Sequence, residues 1–502
     1  MIRRRTFRGA HGARTTHRAH RARATLATLA TLSLLAACTP PTRIDPPAAG
    51  TPAPTPAPTD LTAGQSEPVA DPLYPDFGNA DIDVLHYGLA LAYDPESTVL
   101  DGTATLTVRA VTTISELRLD FADNLKVGEV TVDGTAVAVT QSGYDLSVLT
   151  GLPVGAQAVV EIGYSGVPEK APAPTTREDF SGDGIGLRPE PNGSLWTMQE
   201  PYGAFTWYPV NDHPSDEALY DITVTVPEGW AGVANGSFAG ETPSGGETTF
   251  AWHSADPVAS YLTTLAVDRF EKLELSGPNG LPITAWVPPG QMRVFEDAIR
   301  KMPEHIAYIE ERYGPYPFDS AGVVLVGGES AMETQEMITF SAALGALGQE
   351  VIESILVHEL AHQWFGDAVT PVDWRGVWLN ESMATYIEDM WNADQGYLTE
   401  REVVENWRDL DQALRDEAGA PGDYDARQFA SSNVYVCTAL MMYEIREVIG
   451  EARFTEMMRD WVQKQPNTHQ DRASFTAWVN QYAGEDLTGL IDEWLDSPTT
   501  PR

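Results

Sequence analysis

Cysteine is almost absent from this chain, which has only Cys38 and Cys437 among its 502 residues. That scarcity excludes a fold held by several disulfides, so the hydrophobic core must stabilise the protein. Basic residues are also scarce, since 32 Lys and Arg stand against 72 Asp and Glu, for a formal net charge of −40. So acidic a chain repels phosphate, and nucleic acid is therefore not an expected partner.

Long apolar runs are missing as well, and the run at residues 26–37 is too short to be expected to span a membrane. It follows a segment, residues 1–24, with eight arginines and no acidic residue, and it ends just before Cys38. A basic region, an apolar region and small residues before a cysteine are typical of a bacterial lipoprotein signal. We therefore expect removal of residues 1–37 and lipidation of Cys38, which would anchor the exported protein to the outer face of the bacterial cell membrane. The alternative is an ordinary exported protein with a coincidental cysteine.

Composition divides the rest of the chain into three parts. Residues 38–75 are rich in Pro, Thr and Ala, which predicts a stiff, extended spacer. Residues 76–271 alternate apolar and polar side chains between turn signals, as in the hairpin expected around Asp133-Gly134, and this pattern indicates a β-domain. Residues 272–502 open with short strands and then become mostly helical.

The segment His358-Glu359-Leu360-Ala361-His362 carries the strongest chemical signal. On a helix the two histidines lie four residues apart, so both rings leave one face and can hold a single cation. Glu381, downstream in Trp378-Leu379-Asn380-Glu381, can supply a third ligand. Three protein ligands and one open position are the arrangement of a catalytic zinc, with Glu359 placed to reach a water as general base. The pattern indicates a peptidase core.

A plain structural interpretation of the same motif is a helix with two partly buried histidines and a surface glutamate. The flanking residues oppose it because the helix is apolar on most sides, and burying Glu359 there without a partner would be unfavourable. Glu388, two helical turns after Glu381, is placed to contact a ligating histidine, or else is a solvated charge.

With these motifs in place, the chain resembles the zinc aminopeptidase family that includes aminopeptidase N. The resemblance covers nearly all of residues 76–500 and includes Asp81-Ile82-Asp83 and the segment 207–214. It implies a multidomain β plus α/β fold, in which a saddle-like N-terminal β-sheet domain precedes a thermolysin-like, mostly α-helical catalytic domain. It also implies a short form without the C-terminal helical domain of many relatives, and hence a more open cleft.

The resemblance also implies how a substrate is bound. The family's G-x-M-E-N signature stands here as Ser330-Ala331-Met332-Glu333-Thr334, which makes Ala331 and Met332 substrate-binding residues and Glu333 the group that binds the free α-amine. Gln199-Glu200-Pro201 resembles the β-domain loop whose acidic residue faces the same amine, so Glu200 is the second anchor.

The family's transition-state tyrosine lies in a Y-x-[KR]-G motif, and its counterpart here is Tyr435-Val436-Cys437-Thr438. Tyr435 would donate a hydrogen bond to the developing oxyanion. The basic residue and the glycine of the motif are replaced by Cys437 and Thr438, and Cys437 is expected to be a small buried hydrophobe.

Together these features predict a zinc-dependent aminopeptidase that binds one zinc ion per chain through His358, His362 and Glu381. Its expected substrates are peptides with a free N-terminus. Two alternatives remain open, a metalloendopeptidase and a non-catalytic surface lipoprotein that captures peptides.

Overall fold

The structure, a computed structural model, describes residues 60–177, 182 and 184–501. The predicted signal segment 1–37, the lipidation site Cys38 and the spacer up to residue 59 lie outside the described residues. The described chain begins as a β-domain and continues as a mostly helical domain, in the order that the sequence predicts.

An eight-stranded sheet with the order β13-β14-β11-β1-β2-β8-β4-β5 forms the centre of the β-domain. Its neighbours pair antiparallel except for β1 and β11, which run parallel. The strands are β1 (Ile82–Asp94), β2 (Val99–Ala110), β3 (Leu117–Asp120), β4 (Lys126–Val132), β5 (Thr135–Ala136), β6 (Val139–Ser142), β7 (Asp145–Val148), β8 (Gln157–Gly166), β9 (Gly186–Pro189), β10 (Leu195–Met198), β11 (Glu217–Pro227), β12 (Ala231–Ala234), β13 (Ser237–Ser244), β14 (Glu247–Ala259) and β15 (Leu265–Asp268).

Local sequence explains how these strands form. In β8 the even-numbered residues from Ala158 to Tyr164 are buried and their neighbours face outwards, as expected for a sheet covered on one face. The predicted hairpin is confirmed: β4 turns into β5 at Asp133 and Gly134, whose φ angles of 49° and 73° suit a two-residue hairpin turn.

The second domain combines a four-stranded sheet, ordered β16-β17-β18-β19, with helices packed around it. Its strands are β16 (Glu271–Ser276), β17 (Pro282–Val287), β18 (Ala321–Val326), β19 (Ile338–Ser341), β20 (Val369–Pro371) and β21 (Thr468–Gln470). Its helices are α1 (Met292–Arg300), α2 (Met302–Tyr313), α3 (Gln349–His362), α4 (Val377–Asp394), α5 (Glu400–Ala418), α6 (Thr438–Ile449), α7 (Glu451–Lys464), α8 (Arg472–Ala483) and α9 (Thr488–Asp496).

Residues 292–313 form two helices, α1 and α2, rather than one continuous helix. The break falls at Lys301, just before Pro303 in the first turn of α2. Proline has no backbone N–H to donate into a preceding turn, so it starts a new helix more easily than it continues one.

The expectation that residues 38–75 form an uncored spacer is wrong for the C-terminal end of that segment. Asp71 is buried and accepts a hydrogen bond of 2.8 Å from the Trp374 backbone N–H. Tyr74 is also buried, and its hydroxyl donates to the Ala426 carbonyl at 2.7 Å. Prolines continue through this stretch, at Pro68, Pro72 and Pro75, but Asp71 and Tyr74 have specific partners in the helical domain.

Helices α3 and α4 lie side by side in the interior of the helical domain, and together they carry the predicted metal ligands. Most of their apolar side chains are buried. Over the described ranges, no helix combines the length and the apolar character that a bilayer crossing requires.

Candidate active site

Helix α3 places His358, Glu359 and His362 along one buried segment. The helix has no Gly or Pro between Gln349 and His362, and the chain then leaves it through a wide turn, Gln363–Asp367. Gly366 in this turn has a φ of 133°, and a Cβ there would lie 3.2 Å from the Asn380 side chain. The turn therefore needs glycine to bring the end of α3 against the start of α4.

Three ligand atoms converge between the two helices. The Nε2 atoms of His358 and His362 are 3.1 Å apart, and the Glu381 Oε2 atom lies 3.4 and 3.5 Å from them. Tetrahedral ligands at zinc–nitrogen and zinc–oxygen bond lengths lie about 3.3–3.4 Å from one another. Glu381 Oε2 is buried and makes no hydrogen bond within the described protein. The donor set and its spacing therefore fit a zinc ion.

The outer nitrogens of both rings are held by fixed acceptors. His358 Nδ1 lies 3.1 Å from Glu388 Oε2, and His362 Nδ1 lies 3.1 Å from the Phe365 carbonyl oxygen. Ser354 Oγ donates to the other Glu388 oxygen at 2.6 Å. Such partners fix the tautomer with Nε2 unprotonated and facing the ligand cluster, which is the usual support of a metal-binding histidine. The predicted contact of Glu388 with a ligating ring is confirmed.

Two buried glutamates of this site have pKa values that are shifted in opposite directions from the ordinary value. Burial favours the neutral form of Glu381, but the facing His362 and His358 overcome it and lower the pKa of Glu381 to about 2. Burial raises the pKa of Glu359 to about 8, against the opposing effect of His358. A dication at the neighbouring ligands would lower the pKa of Glu359 and favour its ionised, basic form.

Glu200 and Glu333 add two further carboxylates to the site. Oxygen atoms of Glu200, Glu333 and Glu381 all lie within 4.8 Å of one another. Glu200 Oε1 and Glu333 Oε1 are buried and have no hydrogen-bond partner in the described part of the chain. Burial raises the pKa of both side chains. A cation that donates hydrogen bonds would satisfy these oxygens and restore their charge.

The loop before Glu333 differs in detail from the predicted arrangement. Ala331 lines the cleft, but Met332 is buried, and its backbone N–H and carbonyl both pair with Thr339. Met332 therefore holds the loop against β19.

Tyr435 lies in a second wide turn, Asn433–Cys437, which leads into α6. Its ring stacks near the His358 ring, with 6.0 Å between the centroids. Burial raises the pKa of Tyr435 well above its ordinary value, with a further increase from Glu381, so the phenol keeps its proton at neutral pH. Cys437 is fully buried, as predicted, and burial raises the pKa of its thiol.

The sequence prediction missed Arg177 completely. This residue lines the same cleft of about 320 Å³ as the predicted metal ligands, Glu200 and Tyr435. It belongs to an irregular segment after β8, far from every catalytic motif, and no spacing or local pattern marks it.

Two family models match the chain. The Peptidase M1 N-terminal domain matches residues 84–262, and the Peptidase family M1 domain matches residues 298–494, the range that contains the three converging ligands. The chain belongs to peptidase family M1. The predicted family and fold class are confirmed by these matches.

Solved M1 structures share this architecture. A mutant M1 zinc metallopeptidase from Deinococcus radiodurans, bound to a Tyr-Ser-Ala substrate, is 26% identical and superposes with a TM-score of 0.77. The match covers 86% of this chain and 98% of the Deinococcus chain. Zinc, the predicted cofactor, is confirmed by the family and by this neighbour.

The curated relatives match only part of this chain. Human glutamyl aminopeptidase is 26% identical over 284 residues, which are 53% of this chain and 29% of the human protein. Aminopeptidase N of Acetobacter pasteurianus is 25% identical over 318 residues, 60% of this chain and 88% of that protein. The chain thus spans less than a third of the human relative's length.

Proposed function

We propose that this M1 family member is a zinc-dependent aminopeptidase that hydrolyses the first peptide bond of peptides with a free N-terminus. The observation that carries the proposal is the position of the Glu200 and Glu333 carboxylates, within 4.8 Å of the ligand Glu381. In this site, two buried carboxylates lie beside a set of residues that can bind a metal. Such a site suits a substrate whose cationic N-terminus lies next to the peptide bond to be cleaved.

Glu359 is the general base of this proposal. A zinc ion held by His358, His362 and Glu381 would polarise the scissile carbonyl and lower the pKa of a water to about 7. Glu359 is buried and lies between the two histidines in the sequence. It accepts a proton from the attacking water and delivers it to the leaving amine.

Glu200 and Glu333 select the end of the chain. Each offers a buried oxygen without a partner among the described residues, and an α-ammonium group can donate to both. An internal peptide segment brings no such cation and would leave these carboxylates desolvated and unpaired, so it binds poorly.

Tyr435 stabilises the oxyanion that develops on the carbonyl oxygen. Its buried phenol is protonated at neutral pH and lies beside His358, so it can donate its O–H to negative charge at this site.

Export and lipid anchoring form a separate part of the proposal and depend on the sequence of residues 1–38 alone. In a cell that processes lipoproteins, the wild-type chain should be recovered in the membrane fraction and labelled by a fatty acid. Cys38→Ala should abolish the label and release the chain, and an unchanged membrane fraction would contradict the anchor.

The direct test compares peptides that differ only at the N-terminus. Purified protein is given aminoacyl arylamides, a free peptide and its N-acetylated form, each with and without a chelator. The proposal expects hydrolysis of the free substrates only, lost with chelator and restored by zinc. Cleavage of acetylated peptides at internal bonds would identify an endopeptidase, and binding without cleavage would identify a peptide-capturing protein.

A further inference from the structure

A segment of the β-domain is fastened to the loop that carries Tyr435. Thr175 Oγ1 donates to the Phe429 carbonyl at 2.9 Å, and the Thr176 N–H donates to the Arg427 carbonyl at 3.1 Å. Thr175 also pairs with Gln428 in an antiparallel bridge. These contacts join two parts of the chain more than 250 residues apart in sequence, and they fix where the next residue, Arg177, can reach.

Arg177 extends from this segment to the candidate oxyanion donor. One guanidinium nitrogen, Nη1, donates to the Ala430 carbonyl at 2.8 Å and to the Tyr435 hydroxyl at 3.0 Å. The carbonyl anchors the guanidinium at the loop, so its position relative to the phenol does not depend on the long arginine side chain alone.

The direction of this hydrogen bond has a chemical consequence. Arginine has only donors, so the Tyr435 oxygen must be the acceptor. The phenol's own hydrogen then remains available for another acceptor, and the positive charge makes the O–H a stronger donor. The Y-x-[KR]-G position that is basic in the family pattern is Cys437 here, buried with its sulfur 3.8 Å from the Asp411 carbonyl. No basic side chain at position 437 assists Tyr435.

We propose that Arg177 is a positioning residue that holds Tyr435 as a donor towards the developing oxyanion, and that the β-domain thereby supplies a cationic group that the tyrosine's own motif lacks. This inference rests on the proposed function. It assigns Arg177 no contact with substrate, since its effect passes through the Tyr435 hydroxyl.

A double-mutant cycle tests this dependence. Arg177→Met should lower kcat on an aminoacyl arylamide about tenfold to hundredfold, the range for a lost hydrogen bond to a charged group, with little change in KM. In a Tyr435→Phe background the same substitution should cost less than about twofold, because the partner is already gone. Arg177→Lys should recover part of the loss.

A matched control comes from the same loop. Arg427 is exposed and pairs with Asp425, so Arg427→Met removes the same charge without touching Tyr435 and should leave kcat unchanged. Zinc content and thermal unfolding of each variant show whether the site and the fold are intact. If Arg427→Met lowers kcat as much as Arg177→Met does, the proposal is overturned, because the loss of any positive charge on this loop would then explain the effect.

A binding measurement supplies a second readout. A phosphinic peptide, which imitates the tetrahedral intermediate, should bind Arg177→Met about tenfold or more weakly by calorimetry, whereas the product amino acid should bind it as well as the wild type. Equal losses from Arg177→Met with and without the Tyr435 hydroxyl would overturn the positioning role and indicate direct substrate contact. A wild-type protein inactive on every arylamide would instead overturn the proposed function.

Discussion

At the scale of single residues, environment decides what each glutamate of the site can do. Glu381 faces two imidazoles and has a pKa of about 2, which suits a metal ligand. Glu359 has a pKa raised by burial to about 8 and lies where it can exchange a proton. Two side chains of the same type therefore suit different roles, one as a ligand and the other as a base, because their neighbours differ.

Glu359→Gln should keep the fold and the zinc but lose turnover, because the amide preserves shape and cannot accept the proton. The expected loss in kcat is about a hundredfold to ten-thousandfold. Arylamide hydrolysis and elemental analysis on the same sample check both parts. Near-normal turnover would rule out Glu359 as the base.

Glu333→Ala and Glu200→Ala should each lower kcat/KM for free aminoacyl substrates about tenfold to hundredfold, since each removes a charge-assisted hydrogen bond to the α-ammonium. Glu329 is an apt control because it lines the cleft and is exposed, so Glu329→Ala should change kcat/KM little. If all three variants lose activity equally, general negative charge and not a specific anchor attracts the substrate.

At the scale of elements, the pairing of α3 with α4 builds the site. Glu388 on α4 orients His358 on α3, so Glu388→Gln should weaken zinc binding about tenfold to hundredfold. Competition with a chromophoric chelator measures the affinity. Glu350→Gln, in the first turn of α3, is the control and should leave it unchanged. Equal affinity of the Glu388 variant and the wild type would exclude this orienting role.

The helices and strands could be predicted from the sequence better than the contacts between them. The motif and its apolar flanks predicted a buried helix at α3, and the four-residue spacing predicted that its histidines converge. The pairing of Met332 with Thr339 could not be anticipated, because a short motif does not show which of its residues face the core and which face the cleft. Contacts between distant segments leave even less trace in a local pattern. Arg177 was missed for the same reason, since its partner Tyr435 lies 258 residues away.

At the scale of the whole molecule, the site requires both domains. The β-domain supplies Glu200 and Arg177, and the helical domain supplies the proposed metal ligands and Tyr435. Composition predicted the change from one domain to the other, but it assigned residues up to 75 to a free spacer although Asp71 is bonded to Trp374. A Pro-rich segment gives no sign of where its specific contacts begin.

Glu217 is a buried carboxyl at the contact between the domains, where the Thr370 hydroxyl donates to it. Burial raises its pKa from 4.5 to about 8. The folded state therefore binds more protons than the unfolded state between about pH 4.5 and 8, and stability from this group is lost as the pH rises through that window. Glu217→Gln should remove this loss of stability with rising pH.

Thermal unfolding at pH 6 and pH 9 checks the Glu217 prediction. The unfolding midpoint of Glu217→Gln minus that of the wild type should be several degrees larger at pH 9 than at pH 6. Exposed Glu228→Gln, close in sequence, should show no such difference. The same offset at both pH values would exclude a buried titrating carboxyl as its cause.

Zinc titration into chelator-treated protein, followed by calorimetry and by arylamide hydrolysis, tests the central claim most directly. The wild type should take up one zinc ion per chain and regain aminopeptidase activity in proportion. A His358→Ala/His362→Ala variant should do neither. Zinc uptake by that variant equal to the wild type, or a wild type that takes up zinc without regaining activity, would contradict the account.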